Sequence, residues 1–314
     1  GTKTYVPYCQ ECHSGAYPQQ TVNFGATTYD WENMVDAISS TSPVEQIDAI
    51  ATISYHCGVA VEMMYDHHGG GSGAFSTDVP AAISTYFKYA PSTLVNRQNN
   101  QTWDEDLRNA IRMGRPVYYS GFDEEGGGHA FVCDGYDDNG LFHFNFGWGG
   151  ASDGFFTTEA MDYHVNSSAI MNWMPNEVYQ STAQAPTSLT VTPADNNALS
   201  ATLTWTNPTK FINGLSITSI DKIVVERNGK VIHEENNPSA GASMTYVDNN
   251  VPCFSYFDYS VYAVINGEIG NINTVKKIQF GPTCGWKLIL QSSAFQGMKG
   301  ASVSVFDAAG VEFE

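Results

Sequence analysis

Hydrophobic residues in the first third of the chain recur with the spacing of helices. Between residues 42 and 65 one apolar stripe comprises Ile47, Ile50, Cys57, Val61 and Met64. Intervals of three, four and seven residues place these side chains on one face of a helix. The segment Ser-Pro-Val-Glu at its start predicts a capping box, with Ser42 as the N-cap and Pro43 in the first turn.

Two shorter helices are predicted to follow. Asp78 and Pro80 open a pattern that extends to about residue 89. A further helix is expected near residues 102–113, where Thr102 and Glu105 have the spacing of a second capping box and Gly114 ends the pattern.

The spacing then changes to that of strands. The segments PVYYSG, HAFVCDGY and LFHFNFGW are short and rich in Val, Phe and Tyr, and GFFTT follows them. Asp138, Asn139 and Gly140 lie between two of these segments and predict a hairpin turn. Helices followed by an antiparallel sheet indicate an α+β domain over residues 1–180.

A polar segment, QSTAQAPTS, follows and predicts a linker. After it, strands and turn residues alternate at regular intervals, which is typical of an all-β, immunoglobulin-like sandwich. Residues 186–281 resemble a fibronectin type III module, in which Trp205 would anchor the core and Tyr259 would occupy a tyrosine corner. Residues 282–314 are expected to begin a further β module.

The amino-acid composition argues against nucleic acids and membranes as partners. The chain is 42% hydrophobic and 15% charged, with a formal net charge of -19. It lacks the excess of basic residues that nucleic acids and anionic membrane surfaces attract. No apolar run reaches the ~20 residues of a membrane helix. We therefore expect neither nucleic-acid binding nor membrane insertion.

Six cysteines in 314 residues do not make a disulfide-based scaffold. Cys9 and Cys12 are close in sequence, and Cys253 and Cys284 are a second candidate pair, but the sequence proves neither disulfide. With His13, the first two match the Cys-x-x-Cys-His spacing of haem attachment. Because no helix is predicted around them, a plain loop is preferred over a haem site, a disulfide turn or a zinc site.

Two other groups contain side chains that can bind metals. His67 and His68 precede a Gly/Ser-rich loop, but two ligands are too few for a zinc site. Oxygen ligands suited to calcium crowd one hairpin: Asp134, Asp137, Asp138 and Asn139. Their spacing is not that of an EF-hand loop, and turn formation accounts for them. We predict that the function requires no metal and no cofactor.

A histidine preceded by glycines is the strongest candidate for chemistry. His129 follows Gly127 and Gly128 and opens a strand. A strand would hold the imidazole rigidly as a general base, and the glycines would let a peptide backbone approach. Asn145 lies one hairpin further on, where its amide could orient the imidazole, and Trp148 could exclude water from the pair.

The segment GGHAFVCDGYDDNGLFHFNFGWGGASDGFF closely resembles the histidine motif of the streptopain family, which are secreted bacterial cysteine peptidases with a papain-like fold. TTYDWENM, TISYHCGVAVEMMY and RPVYYSG resemble the same family in the same order. The resemblance covers roughly residues 20–165. It implies that His129 is the catalytic base and that peptide bonds are cleaved through an acyl-enzyme.

The resemblance also implies roles for neighbouring residues. Asn145 is expected to be the third member of the site, and Trp148 is expected to shield it. The Gly/Ser-rich loop at residues 67–74 is expected to border the substrate cleft. Glycines expected to line that cleft are Gly127, Gly128 and Gly147.

The nucleophile is the part of the pattern that is missing. This family's cysteine is expected in a Gly-Cys-Val-Ala-Thr-like motif before the Tyr-Asp-Trp segment, and residues 1–30 contain no such motif. Cys57 falls in a later, non-catalytic segment. It lies in mid-helix, away from any helix N-terminus or cation that would lower its pKa, so we expect a buried structural thiol. Cys133, which alternates with Phe131 along a strand, is interpreted in the same way.

We therefore predict a cysteine-type endopeptidase of protein or peptide substrates, acting outside the cell or at its surface. The chain would supply the histidine but not the cysteine and would be inactive as it stands. N-terminal truncation is the simplest explanation, and a natural pseudoenzyme is the alternative. On that alternative, a catalytically dead secreted protein binds peptides or inhibits a partner protease, while the β modules dock to a glycan or a cell surface.

Overall fold

The computed structural model describes residues 1–7, 17–65, 71–137, 139–159, 162–194, 198–253 and 255–281. Within these ranges, no helix has the length and apolarity required to cross a membrane. Several predictions lie outside the described residues, namely those on Cys9, Cys12, His13, His67, His68, Asp138, Cys284 and the β module at 282–314.

The described residues form four α-helices, which are α1 (Val44–Ala60), α2 (Val79–Tyr86), α3 (Trp103–Arg112) and α4 (Asn176–Ser181). The first three confirm the predicted helices, although α1 ends early because Glu62 adopts a positive φ of 53°. Both predicted capping boxes are wrong, since neither N-cap side chain bonds the helix backbone. The Ser42 hydroxyl accepts from the Ser39 amide instead, and the Thr102 hydroxyl donates to Asp106.

Eight strands belong to the first part of the chain. A separate pair is formed by β1 (Thr2–Tyr5) and β2 (Gln20–Asn23). The others are β3 (Val95–Asn96), β4 (Val117–Phe122), β5 (Gly128–Tyr136), β6 (Phe142–Asn145), β7 (Gly154–Phe156) and β8 (Val165–Ile170). They form one antiparallel sheet in the order β3-β8-β4-β5-β6-β7. The predicted mixture of helices and antiparallel sheet is confirmed.

The two faces of this sheet pack against different helices. Because side chains alternate along a strand, Tyr119 and Tyr118 of β4 lie on opposite faces. The face of Tyr119 packs against α3 and contributes to a core that includes Trp103, Leu107, Phe131, Cys133 and Phe144. The face of Tyr118 packs against α2, in a smaller core with Val79, Ile83 and Ile170. His129 lies on the face of Tyr119, at the end of the sheet where β5 begins.

The second part of the chain contains two antiparallel sheets. One comprises β9 (Thr187–Pro193), β10 (Ala201–Thr206) and β13 (Ser243–Asp248). The other comprises β11 (Lys222–Arg227), β12 (Lys230–Asn236), β14 (Tyr256–Ile265), β15 (Glu268–Ile269) and β16 (Asn273–Gln279). Both sheets contribute to a core that includes Leu203, Trp205, Ile223, Val225 and Val261. Trp205 is buried as predicted, and the fibronectin type III assignment and its boundaries stay a prediction.

Tyr259 is fully buried in this core, and its hydroxyl donates to the Asp248 carboxylate at 2.9 Å. A tyrosine corner instead donates to the backbone. The same carboxylate pairs with Arg227. Tyr259, Asp248 and Arg227 therefore form a buried side-chain network between the two sheets. It lies where the sequence predicted a tyrosine corner.

The segment between the two parts is not the polar linker that the sequence predicted. Its first two residues, Gln180 and Ser181, are the last residues of α4, and Thr182 and Ala183 are buried. Their backbone groups are hydrogen-bonded into the second part, because the Ile212 amide donates to the Thr182 carbonyl and the Asn271 amide donates to the Ala183 carbonyl, each at 2.9 Å. A hydrogen-bonded, buried connection cannot act as a flexible spacer.

A buried ion pair also joins the two parts. Arg112, at the end of α3, pairs with Glu226 of β11. The two side chains are only 11% and 6% exposed. The Tyr262 hydroxyl donates to the same carboxylate at 2.7 Å. On the surface nearby, Lys276 pairs with Glu105 at 2.5 Å.

Candidate active site

His129 is held at the start of β5, opposite Gly121 of β4 in the sheet register. Its side chain is half-buried. A Cβ at position 121 would collide with the carbonyl oxygen of Tyr163, so only glycine lets the chain that carries Tyr163 lie this close to the sheet. The tight backbone packing around Gly121 thus places Tyr163 beside the histidine.

A hydrogen bond fixes the tautomer of His129. Its Nε2 lies 2.8 Å from the carbonyl oxygen of Phe146. A carbonyl oxygen can only accept, so Nε2 carries the proton when the ring is neutral, and Nδ1 has the lone pair. Nδ1 is therefore the nitrogen that can take a proton from a nucleophile.

Aromatic rings surround the imidazole. Trp148 stacks on it, with centroids 4.8 Å apart and an interplanar angle of 25°. Tyr163 lies at 5.0 Å and Phe131 at 5.7 Å. Trp148 remains 45% exposed, so it forms an outer wall rather than part of the core. The arrangement restricts the imidazole to one plane and removes water from its faces.

The turn after β6 supplies the carbonyl that His129 contacts. The Asn145 side-chain oxygen accepts from the Gly147 amide at 2.9 Å, and Gly147 has a positive φ of 77°. The Phe146 amide donates to Asp153 Oδ1, also at 2.9 Å. Asn145 is exposed and lies beside the imidazole's partner rather than on the imidazole itself.

Three residues of this site were missed by sequence reasoning, namely Phe146, Asp153 and Tyr163. Phe146 acts through its backbone carbonyl, which no side-chain pattern reveals. Asp153 could have been predicted from the sequence, because an aspartate that follows a glycine-rich turn commonly accepts hydrogen bonds from backbone amides. Tyr163 lies beyond the motif, and only the packing on Gly121 identifies it.

The glycine-rich loop before His129 is a turn closed by Asp123. The Asp123 carboxylate accepts from the amides of Glu125 and Gly127 at 2.9 and 2.7 Å. Gly126 has a positive φ of 91°. Gly127 and Gly128 are exposed, so the backbone beside His129 is open to solvent. These positions suit the approach of an extended chain, as does the exposed Gly147 on the other side of the histidine.

Cys57 lies in α1, as predicted, but the prediction that it is buried is wrong. It is exposed at the surface of the described chain. The protein around the thiol still removes enough water to raise the pKa of Cys57, which favours the unreactive protonated form. Among the described residues, the contacts of His129 are with Phe146 and the aromatic rings, and none is with Cys57.

The other two described cysteines are also poor nucleophiles for His129. Cys133 is fully buried on β5, as predicted, and burial raises its pKa to about 12. Cys253 is an exposed free thiol in the second part of the chain. The raised pKa values of Cys57 and Cys133 are the opposite of the depressed pKa of a catalytic cysteine.

The carboxylates of Asp134 and Asp137 bond to other groups of the same hairpin, between β5 and β6. Asp134 pairs with His143 at 2.6 Å, and Asp137 accepts from the amides of Asn139 and Leu141. The Asp137 amide donates to the Leu141 carbonyl, which confirms the predicted turn between β5 and β6. Among the described residues, no three His, Cys, Asp or Glu side chains converge as a metal site would require.

The first half of the chain is similar to known cysteine peptidases. Residues 1–156 match the model of the Peptidase C10 family. The thiol protease/hemagglutinin PrtT of Porphyromonas gingivalis is 37% identical over 146 residues, which cover 46% of this chain and 16% of that protein. Streptopain of Streptococcus pyogenes is 36% identical over 137 residues, which cover 43% of this chain and 34% of streptopain.

A solved structure is also similar. It is the active wild-type interpain A cysteine protease of Prevotella intermedia, with 32% identity and a TM-score of 0.48. The match covers 54% of this chain and 73% of that one. The chain spans at most 34% of the length of the curated relatives that it matches.

Proposed function

We propose, because residues 1–156 are homologous to cysteine peptidases of the Peptidase C10 family, that the chain carries the base of a cysteine-type endopeptidase site on a papain-like fold. The observation that carries the proposal is the hydrogen bond between His129 Nε2 and the Phe146 carbonyl. It leaves Nδ1 as the acceptor, on a ring held between Trp148 and Phe131. This is the form of imidazole that can deprotonate a thiol.

In this mechanism, His129 takes the proton of a cysteine thiol, and the resulting thiolate attacks the carbonyl carbon of a peptide bond. The imidazolium then gives the proton to the departing amine, which leaves an acyl-enzyme. His129 next takes a proton from water, and the hydroxide releases the carboxylate product and the thiol. The Phe146 carbonyl stabilises the imidazolium in both steps because it accepts from Nε2.

The nucleophile in this proposal is a cysteine other than Cys57, Cys133 and Cys253. Burial keeps the Cys133 thiol protonated, and Cys57 has a raised pKa and no contact with the histidine. The catalytic thiol therefore comes from outside the described residues.

Neighbouring residues have supporting roles. Trp148 shields the imidazole from water, and Asn145 holds the turn that presents the Phe146 carbonyl. Gly127, Gly128 and Gly147 leave the cleft open to the substrate backbone. We infer protein or peptide substrates from the peptidase homology, and an extracellular or cell-surface location from the resemblance to secreted enzymes.

A second candidate function is a catalytically dead protein that binds peptides in the same cleft. It is favoured because, within the described ranges, the hydrogen bond and ring contacts of His129 are with Phe146 and aromatic residues and not with a cysteine. On this view, the β-sheets of the second part dock the protein to a cell surface or a glycan. Fluorescence anisotropy with a labelled casein peptide distinguishes the two functions, because saturable binding without hydrolysis by any form of the protein supports the dead protein.

Mutation of the histidine tests the proposed base. In a form of the protein that cleaves casein, His129→Ala should lower kcat/KM by roughly 10²–10⁴-fold, the usual contribution of a general base. His143→Ala is the matched control, because His143 is also on the sheet but pairs with Asp134. It should leave kcat/KM nearly unchanged.

Labelling tests the proposed source of the thiol. An epoxide inactivator of cysteine peptidases should modify one cysteine stoichiometrically in the active form, and peptide mass spectrometry should locate it outside positions 57, 133 and 253. An adduct on Cys57 that abolishes activity would show that the assignment of the nucleophile is wrong.

A further inference from the structure

A cavity lies on the face of the sheet opposite to His129. Its volume is about 420 Å³. Tyr118 and Val132 are partners in the sheet register and form its floor, and alternation along β5 places Val132 on the opposite face from His129 and Phe131. The volume is sufficient for a small organic ligand.

The walls of this cavity are mainly aromatic and apolar. Trp173 packs edge-on against Tyr89, with centroids 5.8 Å apart, and lies 6.1 Å from Tyr118. Further apolar walls come from Met174 and Val178. A cavity of this kind favours the body of an apolar or aromatic ligand.

One cation lines this apolar cavity. Arg115 is only 5% exposed. Its Nη2 donates to the Thr182 hydroxyl at 3.2 Å, but Nε and Nη1 are buried and have no hydrogen-bond partner among the described residues. Burial lowers the pKa of Arg115, which shows that water solvates the charge poorly. A buried guanidinium with two unused nitrogens is costly unless an acceptor is supplied.

Glu268 is the acidic side chain that lines the same cavity. It comes from β15, in the second part of the chain, and is exposed. Burial lowers the pKa of Arg115, and the negative charge of Glu268 opposes part of this shift. Glu268 does not bond to Nε or Nη1. These two nitrogens are therefore without an acceptor among the described residues.

We propose that this cavity binds a carboxylate carried on a compact apolar or aromatic body. The carboxylate accepts a charge-assisted hydrogen bond from one of the two unpaired nitrogens of Arg115, Nε or Nη1, which lie on different edges of the guanidinium. The apolar body lies against Trp173 and Tyr89. Glu268 competes electrostatically for Arg115 and weakens binding.

Calorimetry on the full 314-residue chain tests the proposal, with phenylacetate as the probe. Phenylacetate should bind saturably, and its neutral isostere phenylacetamide should bind at least about tenfold more weakly, because it lacks the charge-assisted hydrogen bond. Inorganic phosphate should also bind at least about tenfold more weakly than phenylacetate, since it gains nothing from the aromatic walls.

Two variants locate the site. Arg115→Met should weaken phenylacetate binding at least about tenfold while circular dichroism remains that of the parent. Glu268→Gln, at an exposed position where folding is not at risk, should tighten binding by about threefold or more because the competing charge is gone. Glu45→Gln, an exposed carboxylate on α1 that does not line the cavity, should change nothing.

Several results would overturn the proposal. They are the absence of saturable phenylacetate binding, equal binding of phenylacetamide, and equal binding of phosphate. Unchanged affinity in Glu268→Gln would likewise place the carboxylate away from Arg115. The measurements do not depend on peptidase activity, so they stand apart from the test of His129.

Discussion

The indole of Trp148 covers the imidazole of His129, with ring centroids 4.8 Å apart and planes inclined by 25°. The stack places an exposed, rigid ring on the outer side of the proposed base, while Phe131 lies on its inner side. Only the edge of the imidazole that carries Nδ1 is then left for a thiol.

We predict that Trp148→Ala lowers kcat/KM by about tenfold to a hundredfold in an active form of the protein, because small displacements of a catalytic group have effects of this size. Trp148→Phe keeps a ring over the imidazole and should retain most of the activity. Steady-state kinetics on casein peptides check this, and equal losses in both variants would contradict the stacking role.

Asp153 is predicted to position the histidine through the backbone. Asp153→Ala removes the acceptor of the Phe146 amide and should loosen the carbonyl that fixes the His129 tautomer. Long-range ¹H–¹⁵N NMR of the imidazole should show Nε2–H alone in the parent and a mixture of tautomers in the variant.

Asp153→Asn is the matched control, because its amide oxygen can still accept from Phe146. It should preserve the tautomer. In an active form, Asp153→Ala should lower kcat with little change in KM, whereas a loss in KM alone would indicate a substrate contact instead.

The pH dependence of stability should reveal Cys133. Its pKa in the folded chain is raised to about 12, whereas an unperturbed thiol titrates near 8.5. The unfolded chain therefore loses this proton first, and the contribution is complete below about pH 8.5 and falls as pH rises towards 12.

Cys133→Ala should therefore show a weaker loss of stability with pH than the parent, by up to about 1.4 kcal/mol per pH unit between pH 9 and 10.5. Urea unfolding at several pH values measures it. At pH 8 in the native state, iodoacetamide should modify the exposed Cys253, should modify the exposed Cys57 more slowly because its pKa is raised, and should not modify the buried Cys133. Parallel pH profiles for parent and variant would contradict the raised pKa.

The buried ion pair between the two parts of the chain should couple their stabilities. Arg112→Met leaves the Glu226 carboxylate buried without its cation, and we expect a loss of about 3–5 kcal/mol in the free energy of unfolding. The double variant Arg112→Met/Glu226→Gln removes both charges and keeps an acceptor for the Tyr262 hydroxyl, so it should recover most of the loss. Additive losses in urea denaturation would contradict a direct pair.

The sequence predicted the elements better than their ends. The apolar spacing around Ile47 and Ile50 and the Val/Phe-rich strands specify periodicity, which is a property of many residues together. Helix ends depend on single contacts instead. The Ser42 hydroxyl had two possible partners, and it accepts from the Ser39 amide three residues earlier rather than from the helix.

The candidate site shows the same division. His129 and Trp148 could be identified because glycine runs and a tryptophan in a turn are visible in one dimension. The Phe146 carbonyl could not, because every residue has one, and its use depends on the fold of the turn. The sequence predicted that Cys57 is buried because it lies on the apolar face of α1. Helical periodicity does not show whether another part of the protein covers that face, and Cys57 is exposed.

The burial of Thr182 and Ala183 determines how the second part of the chain can serve the first. Because Thr182 and Ala183, which precede β9, are buried and their carbonyls are bonded to the second part, these two residues cannot act as a hinge between the parts. Anything that binds the β-sheets would hold the His129 cleft at a set angle to itself. The direction from which a substrate approaches, rather than the length of a flexible linker, would then determine which substrates reach the cleft.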